Sequence, residues 1–182
     1  MARLVETPRD EMTVEQQKVY DDIAGGPRGG VRGPFLALLD SPELADKVQK
    51  LGQFVRYECS IPWDLREIAI LVTAHHLKAQ YEWFAHESEA LRAGVSQKVI
   101  DAIRIGEEPA FDNPAEQEIY QFSKELYASN RVSDETFQKV VDRHGQQGAV
   151  DLAGLLGHYN LIAITLNIFD IEVPGGAKPL GD

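Results

Sequence analysis

The sequence predicts an all-α protein that folds as a single domain. Helix-capping residues recur along all 182 residues, and no segment shows the alternation of apolar and polar residues that is typical of a half-buried strand. A chain of this length buries roughly 70% of the surface of its unfolded state, so it can build a core without a disulfide or a structural metal. We expect a bundle of about seven or eight helices.

The N-terminal region, residues 1–60, is expected to contain two helices and a loop between them. A capping box that starts at Thr13 begins the first helix. The glycine-rich stretch 25–33 ends this helix and lacks the GxxxxGK[ST] order of a phosphate-binding loop, so we interpret it as a flexible connection. Ser41 and Pro42 begin the second helix, in which apolar residues recur every three or four positions.

The central region, residues 61–106, contains the longest stretch without a helix breaker. Its composition predicts one continuous helix over residues 65–93, with Gly94 as the C-terminal stop. Ser96 then caps a shorter helix that fills the rest of the region.

The C-terminal region, residues 113–172, is predicted to be helical and strongly apolar toward its end. Asn113 and Ser133 are helix caps, and the helix that follows Ser133 is expected to end near Gly145. The segment 152–171 carries few charges and is more apolar than one buried face of a monomer helix requires. We therefore expect the protein to form a homo-oligomer.

Composition and charge exclude several classes of partner. A formal net charge of −11 repels nucleic-acid phosphates and anionic lipids, and no cluster of Lys and Arg offsets it. The apolar runs are too short to span a bilayer, and the N-terminus lacks the apolar stretch of a secretory signal. Cys59 is the only cysteine, so one chain can form no disulfide and no CxxC pair. We expect a cytoplasmic protein with no nucleic-acid or membrane partner.

Residues 74–87, AHHLKAQYEWFAHE, concentrate the side chains that could carry acid/base chemistry. Glu82 and His86 are four residues apart, so a helix brings the carboxylate beside the imidazole and raises its pKa, which favours proton exchange near neutrality. An ordinary surface ion pair has the same spacing and stays the alternative. His75 and His86 would lie roughly 16 Å apart along one helix. Because no HExxH motif is present either, we expect no bound metal.

The stretch 65–96 resembles the carboxymuconolactone decarboxylase family, which is related to the alkyl hydroperoxidase D proteins. The matching elements occur in order: REIAIL from Arg66, AQYEW around Glu82, His86 four residues later, and AGVS. The downstream VIDAIRIGEEP also fits. Peroxidase members place cysteines four and seven residues before the histidine, where this chain has Glu82 and Ala79. The chain therefore resembles the branch without the CxxC motif.

The resemblance implies an all-α, alkyl hydroperoxidase D-like fold that assembles as trimers or hexamers, with a proton-relay site near the subunit interfaces. By position, Glu67, Glu82 and His86 are the catalytic candidates. It also implies a break near residues 77–79 in the helix that composition predicts to be continuous. This break would bring Glu67 back toward the other two.

The function that the resemblance implies is a metal-free acid/base lyase, without a cofactor, acting on a small carboxylated or lactone-type organic acid. Two alternatives stay open: a non-thiol oxidoreductase or peroxide-stress protein, and a non-catalytic, oligomeric small-molecule-binding member of the fold. A cation for a substrate carboxylate could come from Arg66, Lys78 or Arg92, and the sequence does not distinguish them. The residues that we expect to contact the substrate are Arg66, Tyr81, Trp83 and His75.

Overall fold

Eight α-helices make up most of residues 3–181, the part of the chain that the computed structural model describes. Met1, Ala2 and Asp182, the ends of the predicted domain 1–182, lie outside the described residues. No β-strand occurs within residues 3–181, so the prediction of an all-α protein is confirmed. The helices are α1 (Val14–Gly25), α2 (Pro34–Leu38), α3 (Pro42–Gln53), α4 (Trp63–His76), α5 (Gln80–Ala93), α6 (Gln97–Ile105), α7 (Pro114–Ser129) and α8 (Asp134–Ile168).

All five helix starts agree with the predicted caps, and at four of them the cap side chain forms a hydrogen bond. The side chains of Thr13, Ser96, Asn113 and Ser133 each accept a hydrogen bond from a backbone N–H of the first helical turn. These bonds satisfy donors that the helix itself leaves unpaired. Ser41 is the N-cap of α3 but forms no such bond, and Pro42 begins the helix as predicted.

Helix α4 is the centre of the bundle. Nine of its fourteen residues are buried, and it packs against α5, α6, α7 and α8. A helix that is apolar on nearly all sides is stable only inside a bundle. Glu67 lies in the middle of this apolar helix. A second, smaller apolar cluster joins α1, α2 and α3 to the C-terminal end of α8.

Helices α4 and α5 are separate, so the prediction of one continuous helix over residues 65–93 is wrong and the break implied by the family resemblance is confirmed. Leu77 to Ala79 connect them, and Lys78 has φ of 52°, in the left-handed region. Asn167 donates a hydrogen bond to the Leu77 carbonyl at 2.8 Å, which satisfies one acceptor at the break. The packing of α5 against α4 outweighs the cost of a left-handed lysine, roughly 1–2 kcal/mol.

Helix α8 kinks at Gly145, where the sequence predicted a helix end. Gly145 has φ of 70° and ψ of 176° inside the helix, a combination that is open essentially to glycine alone. The chain therefore changes direction at this residue and continues as a helix to Ile168.

By length and composition alone, α8 could cross a membrane, which the short apolar runs of the sequence did not predict. However, 56% of its most apolar 18-residue window is buried inside the protein, as in a core helix. Apolar residues also remain on its outer face, where Val150 and Ile168 are 69% and 57% exposed and Ile164 is also exposed. The absence of a membrane partner stays a prediction.

Candidate active site

The three predicted catalytic residues lie together in the interior. Glu67 projects from α4, and Glu82 and His86 project from α5. The His86 Nδ1 atom is 2.7 Å from Glu67 Oε2, and His86 Nε2 is 3.3 Å from Glu82 Oε1. The imidazole thus has one carboxyl group at each ring nitrogen. We call these three side chains the Glu–His–Glu cluster, and the break at residues 77–79 is what brings its two helices side by side.

Hydrogen bonds determine the orientation of the imidazole. Glu67 Oε1 accepts a hydrogen bond from Trp63 Nε1 at 3.1 Å, and Glu67 Oε2 lies 2.7 Å from His86 Nδ1. We assign the hydrogen of this second contact to Nδ1, which donates it to Glu67 Oε2. In the neutral imidazole Nε2 is then the acceptor and faces Glu82. A single proton shared between Nε2 and Glu82 satisfies both groups.

Burial and charge raise the pKa of two members of the cluster. Glu67, Glu82 and His86 are only 1%, 3% and 4% exposed. Burial raises the pKa of the Glu82 carboxyl, although His86 and Arg56 partly oppose this. Burial disfavours the charged His86, but the charge of Glu67 and its hydrogen bond outweigh this effect and raise the pKa of the imidazole. The two pKa shifts favour retention of the shared proton, as general acid catalysis requires.

Four residues that sequence analysis did not select lie around the cluster. The Tyr159 ring stands edge-on to His86, with 5.0 Å between the ring centroids, and the His158 ring stands edge-on to Tyr159, with 5.2 Å between their centroids. Arg28 and Arg56 lie close enough that their charges lower the pKa of Glu82. They come from the glycine-rich loop, a π-helical turn (Phe54–Glu58) and α8. No local spacing links such distant segments, so only the HY pair in GHYNLIAITLN was a visible signal.

Two of the predicted substrate contacts lie outside the cluster. Trp83 is fully buried in the main core, where its Nε1 donates to Glu87 at 3.1 Å and Arg104 lies over its ring. His75 is at the C-terminal end of α4, beside Gly106. Neither side chain forms a hydrogen bond or ion pair with the cluster within residues 3–181. Their role in substrate binding stays a prediction.

Arg66 and Tyr81 also lie outside the cluster. Arg66 is directed toward the Cys59 sulfur, 3.9 Å from its Nη1 atom. Tyr81 packs against Gly33, and burial raises the pKa of its phenol, although the Arg32 charge partly opposes this. The cations whose charges act on Glu82 are Arg56 and Arg28. The role of Arg66, Lys78 or Arg92 toward a substrate carboxylate stays a prediction.

The cluster is closed to solvent in the single chain. Two surface cavities, of about 310 and 230 Å³, border α1, and neither is lined by Glu67, Glu82 or His86. A ligand reaches the imidazole only when part of the cover moves. Arg28 belongs to that cover and lies on the glycine-rich loop.

The arrangement of the cluster suits a proton relay better than a metal centre. The two ring nitrogens of an imidazole point away from each other, so Glu67 and Glu82 lie on opposite sides of His86 and cannot share one ion with it. Within residues 3–181 no group of three or more His, Cys, Asp or Glu side chains is arranged to hold a metal ion. The expectation of no bound metal stays a prediction.

Comparison with known proteins agrees with the helical topology. Residues 42–125, which include the whole cluster, match the carboxymuconolactone decarboxylase family. A crystal structure of the debrominase Bmp8, a cysteine-to-alanine variant in complex with 2,3,4-tribromopyrrole, is 16% identical in sequence. It superposes with a TM-score of 0.73, covering 97% of this chain and 92% of that chain. This likeness confirms the predicted alkyl hydroperoxidase D-like fold. No curated protein sequence matches this chain.

Proposed function

We propose that this chain, whose residues 42–125 belong to the carboxymuconolactone decarboxylase family, is a metal-free acid/base lyase that acts on a small carboxylated or lactone-type organic acid. One observation carries the proposal: a buried imidazole is held between two carboxyl groups on two helices. Surface ion pairs, the alternative reading of the Glu82 and His86 spacing, are solvated, whereas these side chains are almost fully buried.

In the proposed reaction the cluster delivers one proton. Loss of CO₂ from a carbon next to an unsaturated lactone leaves the bonding electron pair on that carbon as an enolate-like carbanion. The proton shared by Glu82 and His86 Nε2 is transferred to this carbon and completes the new C–H bond. Glu67 keeps the imidazole oriented through Nδ1, and a proton from water then restores the cluster. General acid catalysis of this kind contributes about 10²- to 10⁴-fold.

The solved structure of similar fold supports a small cyclic ligand for this chain. The position of Cys59 argues against thiol chemistry. That debrominase was crystallised with a halogenated pyrrole and with a cysteine replaced by alanine. Cys59, the only cysteine here, is buried outside the cluster and directs its sulfur to the Val55 carbonyl. We therefore keep acid/base chemistry as the proposal, and a non-catalytic binding protein as its alternative.

Turnover in D₂O tests the proposed reaction directly. The substrates are carboxylated lactones and related unsaturated acids, and the readouts are CO₂ release and mass spectrometry of the product. We expect one deuterium at the carbon that lost CO₂. Binding of these acids without CO₂ release from any of them would instead support the non-catalytic alternative.

The raised pKa of Glu82 predicts that this carboxyl destabilises the folded protein at a pH high enough to ionise it. A carboxyl whose folded-state pKa lies above its unfolded value contributes stability below about pH 4.5, and this contribution is lost as the pH rises through the folded-state pKa. Glu82→Gln cannot ionise. We expect its urea midpoint to exceed that of the wild type at pH 8, and the difference to shrink toward pH 5.

Glu43→Gln is the matched control for this stability measurement. Glu43 is exposed, and the hydrogen bond from Lys47 lowers the pKa of its carboxyl. We expect a small change of the opposite sign, because water and salt screen a pair on the surface. If Glu82→Gln is less stable than the wild type at pH 8, the claim that ionised Glu82 destabilises the folded protein is wrong.

We also propose a homo-oligomer, a trimer or hexamer as the family resemblance implies. The exposed apolar residues on the outer face of α8 support this, since contiguous apolar surface is typical of subunit interfaces. Light scattering at micromolar concentration should give a multiple of the 20.3 kDa chain mass. The double variant Ile164→Asp/Ile168→Asp should dissociate, whereas Gln138→Asp, on the polar half of α8, should not. A single-chain mass for the wild type would refute the oligomer.

A further inference from the structure

Beside the Glu–His–Glu cluster lies a group of hydrogen-bond donors without acceptors. Within residues 3–181 the Arg28 side chain forms no hydrogen bond or ion pair, and its guanidinium lies 4.7 Å from the centre of the Phe35 ring. The Tyr159 hydroxyl also has no hydrogen-bond partner there. Arg56 has only a long ion pair, 4.0 Å, with Glu89. These donors are therefore free to bind an acceptor that comes from outside the protein.

His158 adds a buried polar atom to the same place. Its ring is only 4% exposed and its Nδ1 atom has no hydrogen-bond partner. Burial, followed by the charges of Arg28 and His86, lowers the pKa of His158 to about 3, so this imidazole is neutral at physiological pH. A methyl group added at Gly52 would touch both the Arg28 guanidinium and the His158 ring, so the two side chains converge there.

Arg28 is the guanidinium at this place that has no ion pair within residues 3–181, because Arg56 is paired with Glu89. An uncompensated charge in a partly buried site is unfavourable. A bound monoanion would balance it. Guanidinium matches the planar geometry of a carboxylate, and the neutral Tyr159 phenol can add a third donor.

We propose that Arg28, Arg56 and Tyr159 form a carboxylate-binding subsite of the active site, with His158 as a neutral polar neighbour. The inference rests on the proposed function, because it names the groups that anchor the same small organic acid. An ion pair to a departing carboxylate would stabilise the ground state, so the anchored carboxylate is one that the reaction leaves in place. The ring of Tyr159 lies between the anchored group and His86, and it sets the distance between binding and proton transfer.

A binding experiment with charged and neutral probes tests the subsite without turnover. Benzoate, benzamide and inorganic phosphate are titrated into the whole protein by calorimetry, with the His86 and His158 imidazole signals followed by NMR. We expect benzoate to bind, benzamide to bind at least tenfold more weakly, and Arg28→Gln and Arg56→Gln each to weaken benzoate at least tenfold. Arg131→Gln, an exposed arginine at the α7–α8 turn, is the matched control and should bind benzoate normally.

Gly52→Ala is a second test, and it removes no hydrogen-bond donor from the proposed subsite. Gly52 lies inside α3, where alanine suits the helix, but its methyl group would displace the Arg28 guanidinium and the His158 ring. We expect weaker benzoate binding in a folded protein, which separates loss of the subsite from loss of the fold.

The outcomes distinguish the subsite from the function. Failure of the wild type to bind benzoate, equal binding of benzamide, tighter binding of phosphate, or unchanged binding in both arginine variants would each overturn the subsite. Benzoate binding that depends on both arginines in a protein with no lyase turnover would overturn the proposed function and keep the subsite. Turnover with an unchanged KM in Arg28→Gln would overturn the subsite and keep the proposed function.

Discussion

Replacing His86 with alanine is expected to lower turnover at least about a hundredfold while the helical fold stays intact. In the proposed reaction the imidazole, which contacts both Glu82 and Glu67, shares the transferred proton with Glu82, so its removal takes away the path of this proton to the substrate. The measurement is kcat on the acid that gives the fastest wild-type turnover, with circular dichroism to check the fold. Glu67→Gln should also lower kcat, and it should move the pH profile to lower pH, because Glu67 helps to raise the pKa of His86.

His76→Ala is the matched control for the His86 substitution. His76 is exposed and stacks on Tyr127 at the far end of α4, with 4.5 Å between ring centroids. Its removal should leave kcat within about twofold, since it touches no member of the cluster. Full turnover in His86→Ala would show that the cluster is structural, and the family resemblance would then report the fold alone.

The second large effect is expected at the kink of α8. Gly145→Ala places a side chain at φ of 70° and ψ of 176°, which should destabilise the protein by about 1–3 kcal/mol. Denaturation in urea measures this loss.

Gly25→Ala is the control for the kink. Gly25 is the last residue of α1, has an ordinary φ, and has nothing within 4 Å of an added methyl group. This change should be neutral or slightly stabilising, because alanine favours helix over the unfolded chain. Equal effects of the two substitutions would mean that the backbone at residue 145 is not what maintains the kink.

The parts of the fold that local chemistry determines were predictable. Caps such as Thr13 and Ser133 satisfy donors within three residues, so their sequence neighbours identify them. The break at Lys78 was not visible in composition, because neither glycine nor proline marks it. It exists because α5 packs back onto α4, a tertiary effect that only the family resemblance supplied.

In the candidate active site, too, some residues were predictable from the sequence and others were not. Glu82 and His86 share one helix, and their spacing alone placed them together. Arg28 and Arg56 could not be found in this way, since they reach the cluster from a loop and a π-helical turn far from residue 82. Long-range folding decides such contacts, and one sequence carries no local sign of them.

Because the cluster is divided between α4 and α5, separation of these helices changes how tightly His86 and Glu82 hold their protons. Glu67 raises the proton affinity of His86 only while the two helices stay together, and burial raises that of Glu82 only while the cover is closed. When the helices separate, both groups return toward their solution affinities and release protons to the solvent. Opening at neutral pH is therefore a proton-releasing step, its frequency rises with pH, and hydrogen exchange of the α5 amides should report it before the rest of the bundle unfolds.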